Sequence, residues 1–79
     1  MNLKEFLEHS CKIKNYILLV DEKIFRIYIL IRNTVKDEKV KVDLIKNYLL
    51  QNNKFYDVFF VTSKTDIFIR ERIYTKGVK

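Results

Sequence analysis

The arginines of this chain are the residues whose type and spacing most clearly suggest a chemical role. All four fall in two short segments, Ile24–Asn33 and Asp66–Thr75, and both segments alternate apolar with polar residues as β-strands do. Within each segment the arginines share one parity, which places their side chains on one face of the strand, together with aromatic residues. The residues predicted on this face are Arg26, Tyr28 and Arg32 in the first segment, and Phe68, Arg70, Arg72 and Tyr74 in the second.

A face that combines guanidinium groups with aromatic rings can bind nucleic acid. Arginine forms charge-assisted hydrogen bonds to phosphate, and exposed rings stack on bases. The sequence therefore predicts a nucleic-acid-binding site, DNA or RNA, in which the four arginines contact phosphates and Tyr28, Phe68 and Tyr74 stack on bases. Tyr and Arg are also enriched at protein interfaces. The alternative is a protein–protein effector, a small inhibitor or adaptor such as a viral or mobile-element accessory protein, that uses the same face.

The charge balance points in the same direction but carries less weight. The chain has a net charge of +6 and a pI of about 9.5, which favours anionic partners through long-range attraction. However, all but four of its 16 basic residues are lysines, and the Lys/Asn/Ile-rich composition is typical of an A+T-rich genome. Lysines cluster around the second predicted helix, and Lys12 and Lys14 precede the first strand. Such lysines are most often a solvated surface, although a basic rim of this kind can also follow a phosphate backbone.

Catalytic and metal-binding patterns are weak. His9 and Cys11 are two residues apart on a predicted helix, so they point in different directions, and the sequence has no other His or Cys. Asp57 and Glu71 are a carboxylate pair that could meet across a hairpin, but their spacing does not require it. With one Gly and no Pro there is no Gly-rich phosphate loop. We predict that the protein is not an enzyme and uses no metal or cofactor.

The expected location is intracellular, in the cytoplasm. A lone cysteine excludes an internal disulfide. The longest apolar-rich stretch is Ile24–Ile31 and contains Arg26, whereas a membrane-spanning helix needs about 20 apolar residues.

Six elements are predicted along a single domain that covers residues 1–79. Apolar residues at helical spacing indicate helices, and alternating or continuous apolar runs indicate strands. Lys76–Lys79 is predicted to be a frayed tail. The predicted elements are helices at Asn2–Cys11 and Asp37–Asn52, and strands at Asn15–Val20, Ile24–Asn33, Phe55–Thr62 and Asp66–Thr75.

This order predicts an α+β fold, a two-layer αββαββ domain with a four-stranded, mostly antiparallel sheet and both helices on one face. In that arrangement nothing covers the other face of the sheet, which would be apolar and edged by arginines. Monomers rarely expose a large apolar patch, so we expect this face to be covered by a second copy packed sheet against sheet, by a nucleic acid or by a different protein. A chain of this size also has a limited core, and we expect a homo-oligomer.

Overall fold

A computed structural model of the chain describes residues 2–69. The bounds of its elements agree with the predicted ones to within about two residues as far as the third strand. The elements are α1 (Leu3–His9), β1 (Tyr16–Asp21), β2 (Arg26–Ile31), α2 (Glu38–Gln51) and β3 (Asp57–Val61), followed by a helical segment at 64–69 that we call α3.

The first helix begins where its capping residue predicts. The side chain of Asn2 accepts a hydrogen bond from the backbone N–H of Glu5 at 2.8 Å, which satisfies one of the free donors at the start of the helix. At the other end, the N–H groups of Ser10 and Cys11 both donate to the carbonyl of Phe6. The helix is therefore short, and it presents Leu7 to the core.

The predicted hairpin is confirmed. β1 and β2 pair antiparallel without a bulge, from Tyr16 opposite Ile31 to Asp21 opposite Arg26. The charged link closes the turn as its residue types suggest, since the side chain of Asp21 accepts a hydrogen bond from the N–H of Lys23 at 3.0 Å.

The third strand is where the predicted topology first fails. β3 pairs parallel to β2, with Ile27 opposite Val58 and Ile29 opposite Phe60. The reason is that α2 returns the chain to the end of the sheet at which β2 began, and a strand–helix–strand connection of this length produces a parallel pair. The sheet is therefore mixed, in the order β1-β2-β3.

One face of this sheet holds the core. Side chains from β2 and β3 meet α1 and α2 there, and the connection between α1 and β1 adds two more. The buried cluster comprises Leu7, Cys11, Ile13, Ile27, Ile29, Ile31, Ile45, Leu49, Val58 and Phe60.

The predicted fourth strand at Asp66–Thr75 is wrong over its described part. Residues 64–69 are helical, and the hydroxyl of Ser63 accepts a hydrogen bond from the N–H of Asp66 at 3.2 Å, as an N-cap does. The sheet therefore has three strands and not four within residues 2–69, where the structure places three helices; the class remains α+β.

The second face of the sheet is not the open surface that two layers would leave. Ile67 of α3 lines a cavity together with Leu19 and Tyr28, so α3 lies on the face opposite α1 and α2. Tyr28 is only 1% exposed. A third layer thus covers part of the face that was predicted to be free.

Candidate functional site

Arg26 and Tyr28, predicted to contact phosphate and base, contact each other and their own sheet. The Arg26 guanidinium donates to the Tyr28 hydroxyl at 3.3 Å and lies 5.1 Å from the ring centroid of Phe59. The Tyr28 and Phe59 rings stack with their centroids 5.8 Å apart. Because Tyr28 is buried, a base cannot stack on its ring in this conformation, so these residues stabilise the second face of the sheet.

The other predicted site residues are spread over different parts of the molecule. Arg32 is exposed just beyond the end of β2, and Phe68 is exposed on α3 rather than on a strand. Arg70, Arg72 and Tyr74 lie outside the described residues. Among the described residues, the arginine–aromatic face is therefore not a single surface.

A different cationic surface forms at the end of the sheet where β1 begins and β2 ends. We call it the basic concavity; its volume is about 430 Å³. The lining residues are Lys12, Ile13, Lys14, Asn15, Ile31, Arg32, Asn33, Val35, Lys36 and Lys41. Five of these ten residues are cationic and none is acidic, so the concavity has one sign of charge.

The connection from α1 to β1 directs two of these cations outward. Cys11 and Ile13 are buried, and the N–H of Ile13 donates to the carbonyl of Leu7 at 3.0 Å. Lys12 and Lys14 alternate with these anchors and are exposed. Lys12 has a φ of 55°, a left-handed conformation that costs a residue with a Cβ about 1–2 kcal/mol.

The segment that joins β2 to α2, together with the first turns of α2, supplies the other three cations. Arg32 follows the buried Ile31, Lys36 lies just before the helix, and Lys41 lies in its first turns. Burial raises the pKa of the Cys11 thiol, and the positive charge of Lys41 partly opposes that shift. Lys41 is half-buried and lines the concavity together with Lys12 and Lys14 of the anchored connection.

These five cations have no counterion among the described residues. Within residues 2–69 no ion pair involves any of them, whereas Lys46, outside the concavity, pairs with Asp57 at 3.7 Å. Asp37 and Glu38 follow Lys36 in sequence, yet neither lines the concavity. Like charges held close together repel one another, and a bound anion would relieve that repulsion.

The basic concavity continues into a less polar one. Asn15, Ile31 and Arg32 line both. The second concavity has a volume of about 610 Å³, and its other lining residues are Tyr16, Ile17, Leu30, Thr62 and Ser63. A cationic surface beside apolar and hydroxyl-bearing side chains suits a chain-like anion better than a small free one.

The lysines of both segments were noted in the sequence, but it was not predicted that they would lie together in the fold. Lys12 and Lys14 lie more than 20 positions before Lys36 and Lys41, and only the antiparallel pairing of β1 with β2 brings the two segments together. The available signal was the alternation of Lys12 and Lys14 with apolar residues, which indicates an anchored connection rather than a free loop.

Other kinds of site are not formed by the described residues. In the range 2–69 no group of three or more His, Cys, Asp or Glu side chains could hold a metal ion. No helix in that range is long and apolar enough to cross a membrane.

Comparisons of the chain with protein-family models, with curated proteins and with solved structures found no match.

Proposed function

We propose that this protein is a small, non-catalytic nucleic-acid-binding protein and that the basic concavity contacts the phosphate backbone. The observation that carries the proposal is the set of five cations, drawn from two segments of the chain, that surround one concavity and form no ion pair within residues 2–69. Lysine and arginine side chains of this kind neutralise phosphates and release counterions.

The adjoining concavity supports a polymer as the ligand. It begins at Arg32 and extends past Tyr16 to Ser63, so a strand whose phosphates contact the lysines has room for sugars or bases beside them. Contacts with the backbone position a nucleic acid without reading its sequence, and we therefore expect little sequence preference.

The direct test is a binding titration with short single-stranded DNA, single-stranded RNA and duplex DNA at several salt concentrations. The variant K12Q/R32Q/K36Q removes three cations from the basic concavity. The control K23Q/K46Q/K54Q removes the same number of charges elsewhere, so both variants have equal net charge. We expect the first to lose on the order of 100-fold in affinity at physiological salt and about two to three units of salt slope.

The control should lose less than about threefold, because it changes only the long-range field. Equal losses in both variants would mean that net charge alone attracts the nucleic acid, and the assignment to the basic concavity would be wrong.

A protein partner is the second candidate, and one observation favours it. Phe25 and Phe55 are 58% and 71% exposed and line a concavity of about 230 Å³ at the opposite end of the sheet, which we call the aromatic concavity. Its other lining residues are Ile24, Lys46, Leu50, Lys54, Tyr56 and Asp57. Exposed aromatic side chains in such a place can anchor a protein.

A further inference from the structure

The edge strand β1 lacks the features that normally prevent a strand from pairing with another chain. It begins with five apolar or aromatic residues, Tyr16–Val20, and its only charged residue is Asp21. It contains no proline and no bulge. Natural edge strands are usually protected by charges, prolines or bulges, because their outward N–H and C=O groups otherwise accept another strand.

The two edges of the sheet differ in exposure. Ile17 and Val20 of β1 are 52% and 48% exposed. At the other edge, Val58, Phe60 and Val61 of β3 are buried. Within residues 2–69, β1 pairs with β2 alone, and only alternate residues of an antiparallel strand bond to a given neighbour. The remaining N–H and C=O groups of β1 therefore point away from the sheet.

We infer that β1 pairs antiparallel with β1 of a second copy of this chain. The two copies are related by a two-fold axis that passes through the sheet at Leu18, and together they form a continuous six-stranded sheet. This inference does not depend on nucleic-acid binding.

The register follows from the side-chain pattern. A two-fold axis perpendicular to the sheet keeps each side chain on its own face, so it must pass through a residue and not between two residues. With the axis at Leu18, Ile17 lies opposite Leu19 and Tyr16 lies opposite Val20 of the other copy, and every apolar residue of β1 meets another. An axis at Leu19 would instead place Asp21 opposite Ile17.

Charge complementarity supports the antiparallel arrangement. It brings Lys14, which precedes β1 in one copy, to the same end of the interface as Glu22, which follows β1 in the other, and this occurs once at each end. Both residues are exposed, and neither has an ion pair within residues 2–69. An interface of this kind is self-complementary, since the same patch serves both copies.

The test is the molar mass in solution, measured by light scattering and by sedimentation equilibrium. The wild-type chain should have twice the 9.7 kDa mass of one copy. The variant I17K places a charge in the apolar interface and should raise the dimer dissociation constant at least about tenfold. The control V40K makes the same change at an exposed valine of α2 and should leave the dimer unchanged.

A charge exchange tests the antiparallel arrangement without touching the strand. E22K brings two lysines to each end of the interface and should weaken the dimer roughly tenfold, and K14E/E22K should restore it. Three results would overturn the inference. The wild-type chain could be monomeric, the V40K dimer could be as weak as the I17K dimer, or the K14E/E22K dimer could be no stronger than the E22K dimer. Because the readout is mass, failure here leaves the nucleic-acid titration unaffected, and the converse also holds.

Discussion

The two ends of the sheet differ in the number and in the arrangement of their basic residues. At the end with the basic concavity, five cations from two segments line one surface, and none of them has an ion pair within residues 2–69. At the end with the aromatic concavity, Lys46 is paired with Asp57, and exposed phenylalanine rings lie beside the lysines. The comparison shows that the two ends differ in both the amount and the arrangement of charge: five cations that lack an ion pair within residues 2–69 line one concavity, and two lysines, one of them paired with Asp57, line the other.

The two ends also differ in how their connections are held. Ile13 is buried beneath the basic concavity, whereas Phe25 is exposed and has a φ of 53° in the hairpin turn. The carbonyl of Phe25 accepts a hydrogen bond from Asp57 at 2.9 Å, and its ring lies 5.8 Å from that of Tyr56. The first connection is anchored by its side chain, and the second mainly by its backbone.

The largest expected effect separates these two kinds of anchoring. I13A should lower the free energy of unfolding by about 2–5 kcal/mol, because it leaves a cavity in the core. F25G should change it by no more than about 1 kcal/mol, since glycine relieves the left-handed backbone while it loses the contact with Tyr56. Urea denaturation of both variants measures the difference, and similar losses would show that the aromatic end is also held by side-chain packing.

The next effect compares single charges at the two ends. R32E should weaken nucleic-acid binding roughly 10- to 30-fold, because it removes a phosphate contact and adds repulsion. K54E makes an equivalent change in the aromatic concavity and should weaken binding less than about threefold at physiological salt. Fluorescence anisotropy with a labelled oligonucleotide distinguishes these values. If K54E lowered the nucleic-acid affinity as much as R32E does, the aromatic end would belong to the nucleic-acid site.

A smaller effect is expected from the aromatic rings themselves. F25A/F55A removes the two most exposed rings of the aromatic concavity and should change nucleic-acid affinity less than about twofold, since no phosphate contact is lost. It should reduce the binding of a hydrophobic dye, because the exposed apolar patch is smaller. A large loss of nucleic-acid affinity would instead assign base stacking to these rings.

The smallest effect is a pH dependence at the basic end. Burial, a hydrogen bond to Glu8 and the charge of Glu8 all raise the pKa of Tyr16, whose hydroxyl donates to the Glu8 carboxylate at 3.2 Å. The folded state thus favours neutral Tyr16. This stabilisation is present below the unfolded pKa of about 10 and is lost as the pH rises through the higher folded pKa.

In Y16F, the part of the stability loss at alkaline pH that comes from the ionisation of Tyr16 should disappear. Thermal unfolding between about pH 8 and pH 11 measures it. An unchanged pH dependence in Y16F would show that the raised pKa of Tyr16 does not contribute to the stability of the fold.

The sequence was sufficient to predict the local elements through β3 but not the sheet they form. The alternation in β2, the apolar run of β1 and the cap at Asn2 are local signals, and each produced the expected element. Whether β3 pairs parallel or antiparallel depends on which end of the sheet α2 returns to. That is settled by the packing of α2 on the core face, which has no local signature.

The error after β3 came from two signals in conflict. Ile67, Ile69 and Ile73 share one parity and Arg70 and Arg72 the other, which favours a strand. However, Ser63 with Asp66 three residues later has the spacing of a helix N-cap. Glu71 also falls on the parity that a strand would have directed to the core, a second sign against that assignment. The capping pair decided the structure at 64–69.

The described members of the predicted site do not lie on one surface, and their contacts with nucleic acid stay a prediction. Arg32 belongs to the basic concavity, while Arg26 and Tyr28 lie in contacts of the sheet itself. Strand parity indicates which residues share a face, but it does not indicate whether a later helix covers that face. The lysines were noted in the sequence, but their proximity was not predicted because it arises only when the hairpin closes.

The central claim, that nucleic acid binds at one end of the sheet and not the other, is tested most directly by NMR. Backbone amide resonances would be followed in the ¹⁵N-labelled protein as a short single-stranded oligonucleotide is added. We predict that the resonances of 12–15 and 32–36 shift together in a salt-dependent manner, while those of 23–25 and 53–56 remain in place. Shifts confined to the second set, or spread evenly over both, would contradict it.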